Sequence, residues 1–392
     1  MSELTHTIIN TLSERLAIRQ QNGLLRQLHT ADNLIDFCSN DYLGFARSAD
    51  LKQAIQQADA SASDARTGAT GSRLLAGQTH LAAAVEDKLA SFYQTESALI
   101  FNSGYDANLG LLASLPQAND TLLTDELVHA SMIDGARLSY ATRHRFLHND
   151  LNDLESKLQQ TTRSGQSGQV FVAVESVYSM DGDLAPLAEI VALCEQYGAA
   201  LIVDEAHATG VYGPNGEGIV VALGLADRVL ARVHTFGKAL GVHGAAVVGS
   251  SVLRDYLINF ARPFIYTTAL PPHSLLAIRC AHQLVQLSAN ARKSLHERIR
   301  YFHQRVASQL PGTTWTRSSS PIQGLIVPGN DHARHIASEA QRAGFDVRAI
   351  LSPTVPVGQE RLRICIHLFN STKEIDQLIS VFQSALTNAV HL

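Results

Sequence analysis

From about residue 97 to 250, short apolar runs alternate with helix-like stretches. Ser97–Phe101 (SALIF) precedes GYDANLGLLASL, which reads as a helix. Asp120–Thr124 (DTLLT) leads into a helical HASMIDGARLS, and Val170–Glu175 (VFVAVE) into a helix over Glu189–Tyr197. Ala199–Asp204 (AALIVD) and Gly244–Ser250 (GAAVVGS) are further runs. Near-continuous apolar strands are buried on both faces, and their alternation with helices predicts an α/β domain with a parallel or mixed sheet.

The pattern changes towards the C-terminus. Residues 273–310 read as long helices, followed by a Ser/Pro turn (318–321), a strand QGLIV and a helix over 331–343. Arg361–Leu368 (RLRICIHL) alternates like a half-buried strand, and a last helix follows, so a smaller α+β domain is expected. Near the start, Ile8, Ile9, Leu12 and Leu16 recur at helical spacing, which predicts an amphipathic helix. No apolar run approaches the roughly 20 residues needed to cross a bilayer.

Composition narrows the class. In 392 residues, 45% are hydrophobic and 17% charged, which is globular rather than disordered. A net charge of −5 speaks against nucleic-acid or polybasic membrane partners. The N-terminus lacks the apolar stretch of a secretory signal. Cys38, Cys194, Cys280 and Cys365 are scattered without ligand spacing and read as reduced, buried thiols, with no metal site. A cytoplasmic protein is expected.

Chemistry concentrates on one lysine. The chain has six, and Lys52, Lys88, Lys157, Lys293 and Lys373 all have charged neighbours that mark solvated helix faces. Lys238 lies in VHTFGKALGVHG, with no Asp, Glu or Arg within five residues on either side. Such a lysine either snorkels to the surface or is desolvated, with a lowered pKa that suits Schiff-base chemistry. Arg232 and Ala239 break the P-loop pattern, and no GxGxxG follows a strand. Asp204 ends a buried strand, where it either caps the next helix or faces a buried cation such as a protonated pyridine nitrogen. His207 follows three residues later, and His129 stands at another strand-to-helix turn. NSGYDAN (102–108) opens a helix whose free N–H groups either form a simple cap or cradle a phosphate. A lysine, a strand-end acid and a phosphate cup are the three groups that pyridoxal 5'-phosphate requires.

Longer motifs then carry a resemblance. They are SNDYLG (39–44), TGATGSRLLAGQTHLAAAVEDKLA (67–90), NSGYDAN, DELVHAS (125–131), SMDGDLAPL (179–187), DEAHATGVYGPNGEG (204–218), TFGKALG (235–241), IYTTALPP (265–272) and SPTVPVGQERLRI (352–364). The chain resembles the α-oxoamine synthases, fold-type I pyridoxal phosphate-dependent enzymes, nearly end to end. Ala206 and Thr209 in AHATG favour the oxononanoate-forming branch of biotin synthesis.

The resemblance implies a large domain (49–285) with a mostly parallel seven-stranded sheet sandwiched by helices. An N-terminal helix and segment (1–48) and a small C-terminal α+β domain (286–392) flank it. The implied reaction is a decarboxylative condensation of L-alanine with a pimeloyl thioester, carried on coenzyme A or an acyl-carrier protein. The alternative is a sister acyltransferase, such as a glycine C-acetyltransferase. Carried over by residue, Lys238 binds the cofactor aldehyde and moves the Cα proton, Asp204 faces the pyridinium, His129 stacks on the ring and His207 contacts its phenolate oxygen. Gly104, Tyr105, Ser179 and Thr235 hold the cofactor and its phosphate. Thr268 reaches the phosphate of a partner subunit in a homodimer, and Arg26, His129 and Thr354 bind substrate. The chain departs from the family at AILSPTVP, where many members read AIRPPTVP. Leu351 cannot pair a carboxylate. Either Arg348, Arg361 or Arg363 replaces that arginine, or the carboxylate is held differently.

Overall fold

The computed structural model describes residues 3–28, 30, 33–62, 66–163 and 168–389. The chain separates into two units, one ending at Ile35 and the other beginning at Asp36. In the first, Glu3–Gln21 forms the expected helix, and Ile8, Ile9, Leu12 and Leu16 are all exposed.

The second unit is built on a seven-stranded sheet. Its strands are β1 (Ser97–Phe101), β2 (Thr121–Asp125), β3 (Thr142–Phe146), β4 (Val170–Glu175), β5 (Ala199–Asp204), β6 (Ala231–Thr235) and β7 (Ala245–Gly249). They lie in the order β1-β7-β6-β5-β4-β2-β3. All neighbouring pairs are parallel except those made by β7, which is antiparallel to β1 and β6. The apolar runs in β1, β2, β4 and β5 are buried because helices cover both faces.

Two strands escape the apolar pattern, for different reasons. β3 is TRHRF at the sheet edge, and its first four residues are exposed. β6 is ARVHT in the middle of the sheet, and its polar Arg232 and His234 are fully buried. His234 stacks on Tyr93 at 3.7 Å and meets the Thr209 hydroxyl at 2.9 Å, while Arg232 lies within the field of Glu205. Buried polar networks make a core strand look hydrophilic.

Towards the C-terminus, helices Pro272–Gln286 and Ala289–Gln309 match the predicted helical stretch. A three-stranded antiparallel sheet follows, formed by β8 (Ile322–Ile326), β9 (Arg348–Ile350) and β10 (Arg361–Cys365) in the order β9-β10-β8. Helices Asn330–Arg342 and Thr372–Ala389 complete this part. Among the described residues, no helix is long and apolar enough to cross a membrane.

Candidate active site

The carboxyl ends of the parallel strands supply the site, as expected of such sheets. β1 runs into Asn102–Tyr105, β2 into His129, β4 into Ser179, β5 into His207 and β6 into Lys238. A cavity of about 270 Å³ is lined by Gly104, Tyr105, His129, Asp204, His207, Thr235 and Lys238, among others. Seven of the residues singled out from the sequence are therefore brought together.

Lys238 is half-buried in the turn after β6. Desolvation pulls its amine below the usual lysine range, opposed by the nearby carboxylates of Asp204 and Glu175. Asp204 is 4% exposed, and its hydrogen bonds come from uncharged donors. Ala206 N–H donates to Oδ1 at 2.8 Å, and Asn108 Nδ2 donates to Oδ2 at 2.7 Å. Burial holds His207 well below the ordinary imidazole range, and Lys238 and Arg363 add to the effect. Its Nδ1 lies 2.7 Å from the hydroxyl of the fully buried Tyr42, which also donates to Asn40 Oδ1 at 3.1 Å. His129 is also lowered, by burial, against the pull of Asp204. Glu175, in register with Asp204 across β4 and β5, is pushed well up by burial and by the Asp204 charge. The backbone N–H groups of His129 and Ser179 favour its charged form without overcoming that rise.

The helix Gly104–Ser114 points its N-terminus at the cavity. Ser103 Oγ takes the N–H of Asp106 at 3.1 Å, and the Ala107 N–H goes to Ser103 O. The N–H groups of Gly104 and Tyr105 are first-turn donors with no partner among the described residues, the arrangement that suits a phosphate. Glycine is required at 104, because a Cβ there would run into Thr235 Cγ2. The residues therefore fit pyridoxal phosphate: a desolvated amine for the aldehyde, a carboxylate that makes no ion pair among the described residues for the pyridinium, and a tight cup for the phosphate.

A second cavity, about 520 Å³, shares His129 with the first. Ser179 and Thr354 line it, with apolar Leu127, Ile133 and Val355. Thr268 is exposed and does not line the first cavity, and its carbonyl accepts from Asn102 Nδ2 at 2.9 Å. Arg26 is exposed in the N-terminal unit.

The three candidate arginines have different partners. Arg348 Nε pairs with Asp346 at 2.8 Å. Arg361 is ion-paired with Asp181 and lines the second cavity. Arg363 Nη2 donates to Asn40 Oδ1 at 3.0 Å and its Nε to Ser179 O at 2.8 Å, and Asn40 lines the first cavity. Sequence reasoning gave no role to Asn40, Tyr42, Asn108, Ser131 or Glu175. All five stand within or beside the quoted motifs SNDYLG, NSGYDAN, DELVHAS and SMDGDLAPL, so the signal was there without the geometry that gives it meaning.

Comparison with known proteins adds to this picture. The model for the class I and II aminotransferase family matches residues 32–382. An 8-amino-7-oxononanoate synthase from Emericella nidulans is 41% identical over 98% of this chain and 98% of that protein. One from Cellvibrio japonicus is 40% identical over 99% of this chain and 97% of its own. Among solved structures, Sphingomonas wittichii serine palmitoyltransferase superposes with a TM-score of 0.88 at 29% identity, covering 100% of both chains. The 8-amino-7-oxononanoate synthase of Francisella tularensis gives 0.75 at 28% identity, over 92% of this chain and 99% of that one.

Proposed function

The chain belongs to the 8-amino-7-oxononanoate synthases of the class I and II aminotransferase family, and on that basis we propose a reaction and a division of labour among its residues. It is a fold-type I, pyridoxal 5'-phosphate-dependent acyltransferase of biotin synthesis. The proposed reaction joins L-alanine to a pimeloyl thioester, releasing carbon dioxide and the free thiol and giving 8-amino-7-oxononanoate. The observation that carries this reading is the convergence of Lys238, Asp204, His129 and His207 on a cavity floored by the Gly104 helix.

When bound, pyridoxal phosphate supplies an electron-withdrawing ring that stabilises negative charge at the amino-acid Cα. The remaining work falls to the chain. Gly104 and Tyr105 N–H groups and Thr235 would hold the phosphate, with Ser179 as a further cofactor contact from the second cavity. Asp204, held by Ala206 and Asn108, faces the ring nitrogen and keeps its proton there. His207, neutral and backed by Tyr42, faces the phenolate oxygen. The Lys238 amine, depressed by desolvation, takes the Cα proton of alanine on Nζ and later returns it to the product. Arg363 is the arginine that holds the alanine carboxylate, because its guanidinium touches the cavity wall at Asn40. Thr354 and the apolar second cavity accept the pimeloyl chain, with Arg26 as a further substrate contact. Thr268 serves the phosphate of a partner subunit in a homodimer, consistent with its exposure. A cytoplasmic location, with coenzyme A or an acyl-carrier protein as acyl carrier, completes the proposal.

A substrate panel tests it. Purified protein receives L-alanine, glycine or L-serine with pimeloyl, acetyl or palmitoyl thioesters, on coenzyme A and on carrier protein. Carbon dioxide release should be fastest with alanine and a pimeloyl thioester. Preference for glycine with acetyl, or serine with palmitoyl, would reassign the chain within its superfamily.

A further inference from the structure

Two polar side chains in the cavity, Asn108 and Ser131, decide something about a third. Asn108 is 2% exposed and Ser131 fully buried. Asn108 Nδ2 donates to Asp204 Oδ2 at 2.7 Å and to Ser131 Oγ at 3.0 Å. Its Oδ1 is buried with no partner. The amide orientation follows from chemistry. Turned over, Oδ1 would face the Asp204 carboxylate, two acceptors with no proton between them. The stranded Oδ1 is the cost of aiming both N–H groups usefully.

Ser131 Oγ, having accepted from Asn108, keeps its own proton to give. His129 Nδ1 lies 2.8 Å away. The Ser131 backbone N–H donates to the same Nδ1 at 3.2 Å. A backbone N–H cannot reverse its role, so Nδ1 accepts whichever way the hydroxyl turns. A neutral imidazole with a bare Nδ1 carries its proton on Nε2. Among the described residues, His129 Nε2 has no protein partner, while His129 itself lines both cavities.

We propose that the Ser131 backbone N–H, joined by a relay from Asp204 through Asn108 to the Ser131 hydroxyl, fixes His129 as its Nε2–H tautomer, so that it presents a hydrogen-bond donor to an acceptor oxygen of the bound substrate. Asn108 and Ser131 are positioning residues, acting through His129. The substrate part rests on the reaction proposed above; the tautomer does not.

Nitrogen-15 spectroscopy of the holoenzyme labelled at histidine tests it, with His129→Asn identifying the signal. At neutral pH His129 should show a protonated Nε2 and a hydrogen-bonded, unprotonated Nδ1. Ser131→Ala should move the Nδ1 resonance towards the value of a free acceptor and lower kcat about ten-fold, the worth of about one hydrogen bond, leaving the KM for the amino acid nearly unchanged. Ser131→Thr, which keeps the hydroxyl, should restore both. A protonated Nδ1 in the unmodified enzyme overturns the proposal, as does a Ser131→Ala variant with unchanged Nδ1 resonance and kcat. The spectrum is read without turnover, so a wrong choice of substrate would leave the tautomer result standing.

Discussion

The role proposed for Arg363 addresses a question that Leu351 raises. Leucine cannot bind a carboxylate, and three arginines were candidates on sequence alone. Their partners separate them: Arg348 is committed to Asp346 and Arg361 to Asp181, while Arg363 bonds to uncharged groups at Asn40, Ser179 and Cys365 and makes no ion pair among the described residues. A charge-assisted hydrogen bond is worth about 1.5–3 kcal/mol, so Arg363→Ala should raise the KM for L-alanine roughly ten- to a hundred-fold. Arg348→Ala should leave it nearly unchanged, and steady-state kinetics of the two variants decide the matter. Equal effects would remove Arg363 from the role. The phosphate cup makes a second residue-scale prediction. Gly104→Ala should weaken pyridoxal phosphate binding to the apoprotein by about ten-fold or more, at least ~1.4 kcal/mol. Adding Thr235→Ser, which deletes the obstructing methyl, should recover part of the loss in a double-mutant cycle. If both substitutions simply added, the contact would not be what demands glycine. At this scale the sequence was informative about chemistry-bearing types, because an isolated lysine or a strand-end acid is visible without coordinates. Asn108, Ser131 and Glu175 were not legible as a network, since their meaning lies in hydrogen bonds between segments far apart in the chain.

At the scale of elements, the turn carrying Ser179 is held from several sides. Val177 and Leu184 bridge it into a small hairpin, and the Gly182 N–H donates to Tyr178 O. Arg363 from β10 grips Ser179 O, and Ser318 Oγ donates to Gly182 O at 2.9 Å. His148 clamps the other side, with Nδ1 3.0 Å from Asp125 and Nε2 2.7 Å from Asp183. Burial opposes a charge on this imidazole, but the two carboxylates win and lift it from 6.5 to about 10. A raised histidine stabilises the fold fully below its unfolded value of 6.5 and loses that contribution as pH climbs to about 10. Denaturant midpoints should therefore fall over that window, and His148→Ala should lose about 3 kcal/mol at neutral pH and flatten this part of the profile. An equally steep decline in the variant would show that another group is responsible. This clamp was invisible in the sequence, where Asp125, His148 and Asp183 belong to three separate segments.

At the scale of the whole molecule, alternation of apolar runs with helical stretches announced a parallel or mixed sheet, and the sheet is mostly parallel with β7 antiparallel, because double-sided burial leaves a direct mark on composition. It failed at β3, where an edge position favours charge, and at β6, where buried His234 meets Thr209 and Tyr93 and buried Arg232 lies in the field of Glu205. The architecture explains why the site assembles at all. Five strands send their following turns to one end of the sheet, and β10 brings Arg361 and Arg363 to the hairpin from the C-terminal region. The central claim is that this convergence serves one amine. Borohydride reduction of the holoenzyme, followed by peptide mapping, tests it most directly. The account predicts a single pyridoxyl group on Lys238 and none on Lys52, Lys88, Lys157, Lys293 or Lys373; a label on any of those five, or an unlabelled Lys238, would contradict it.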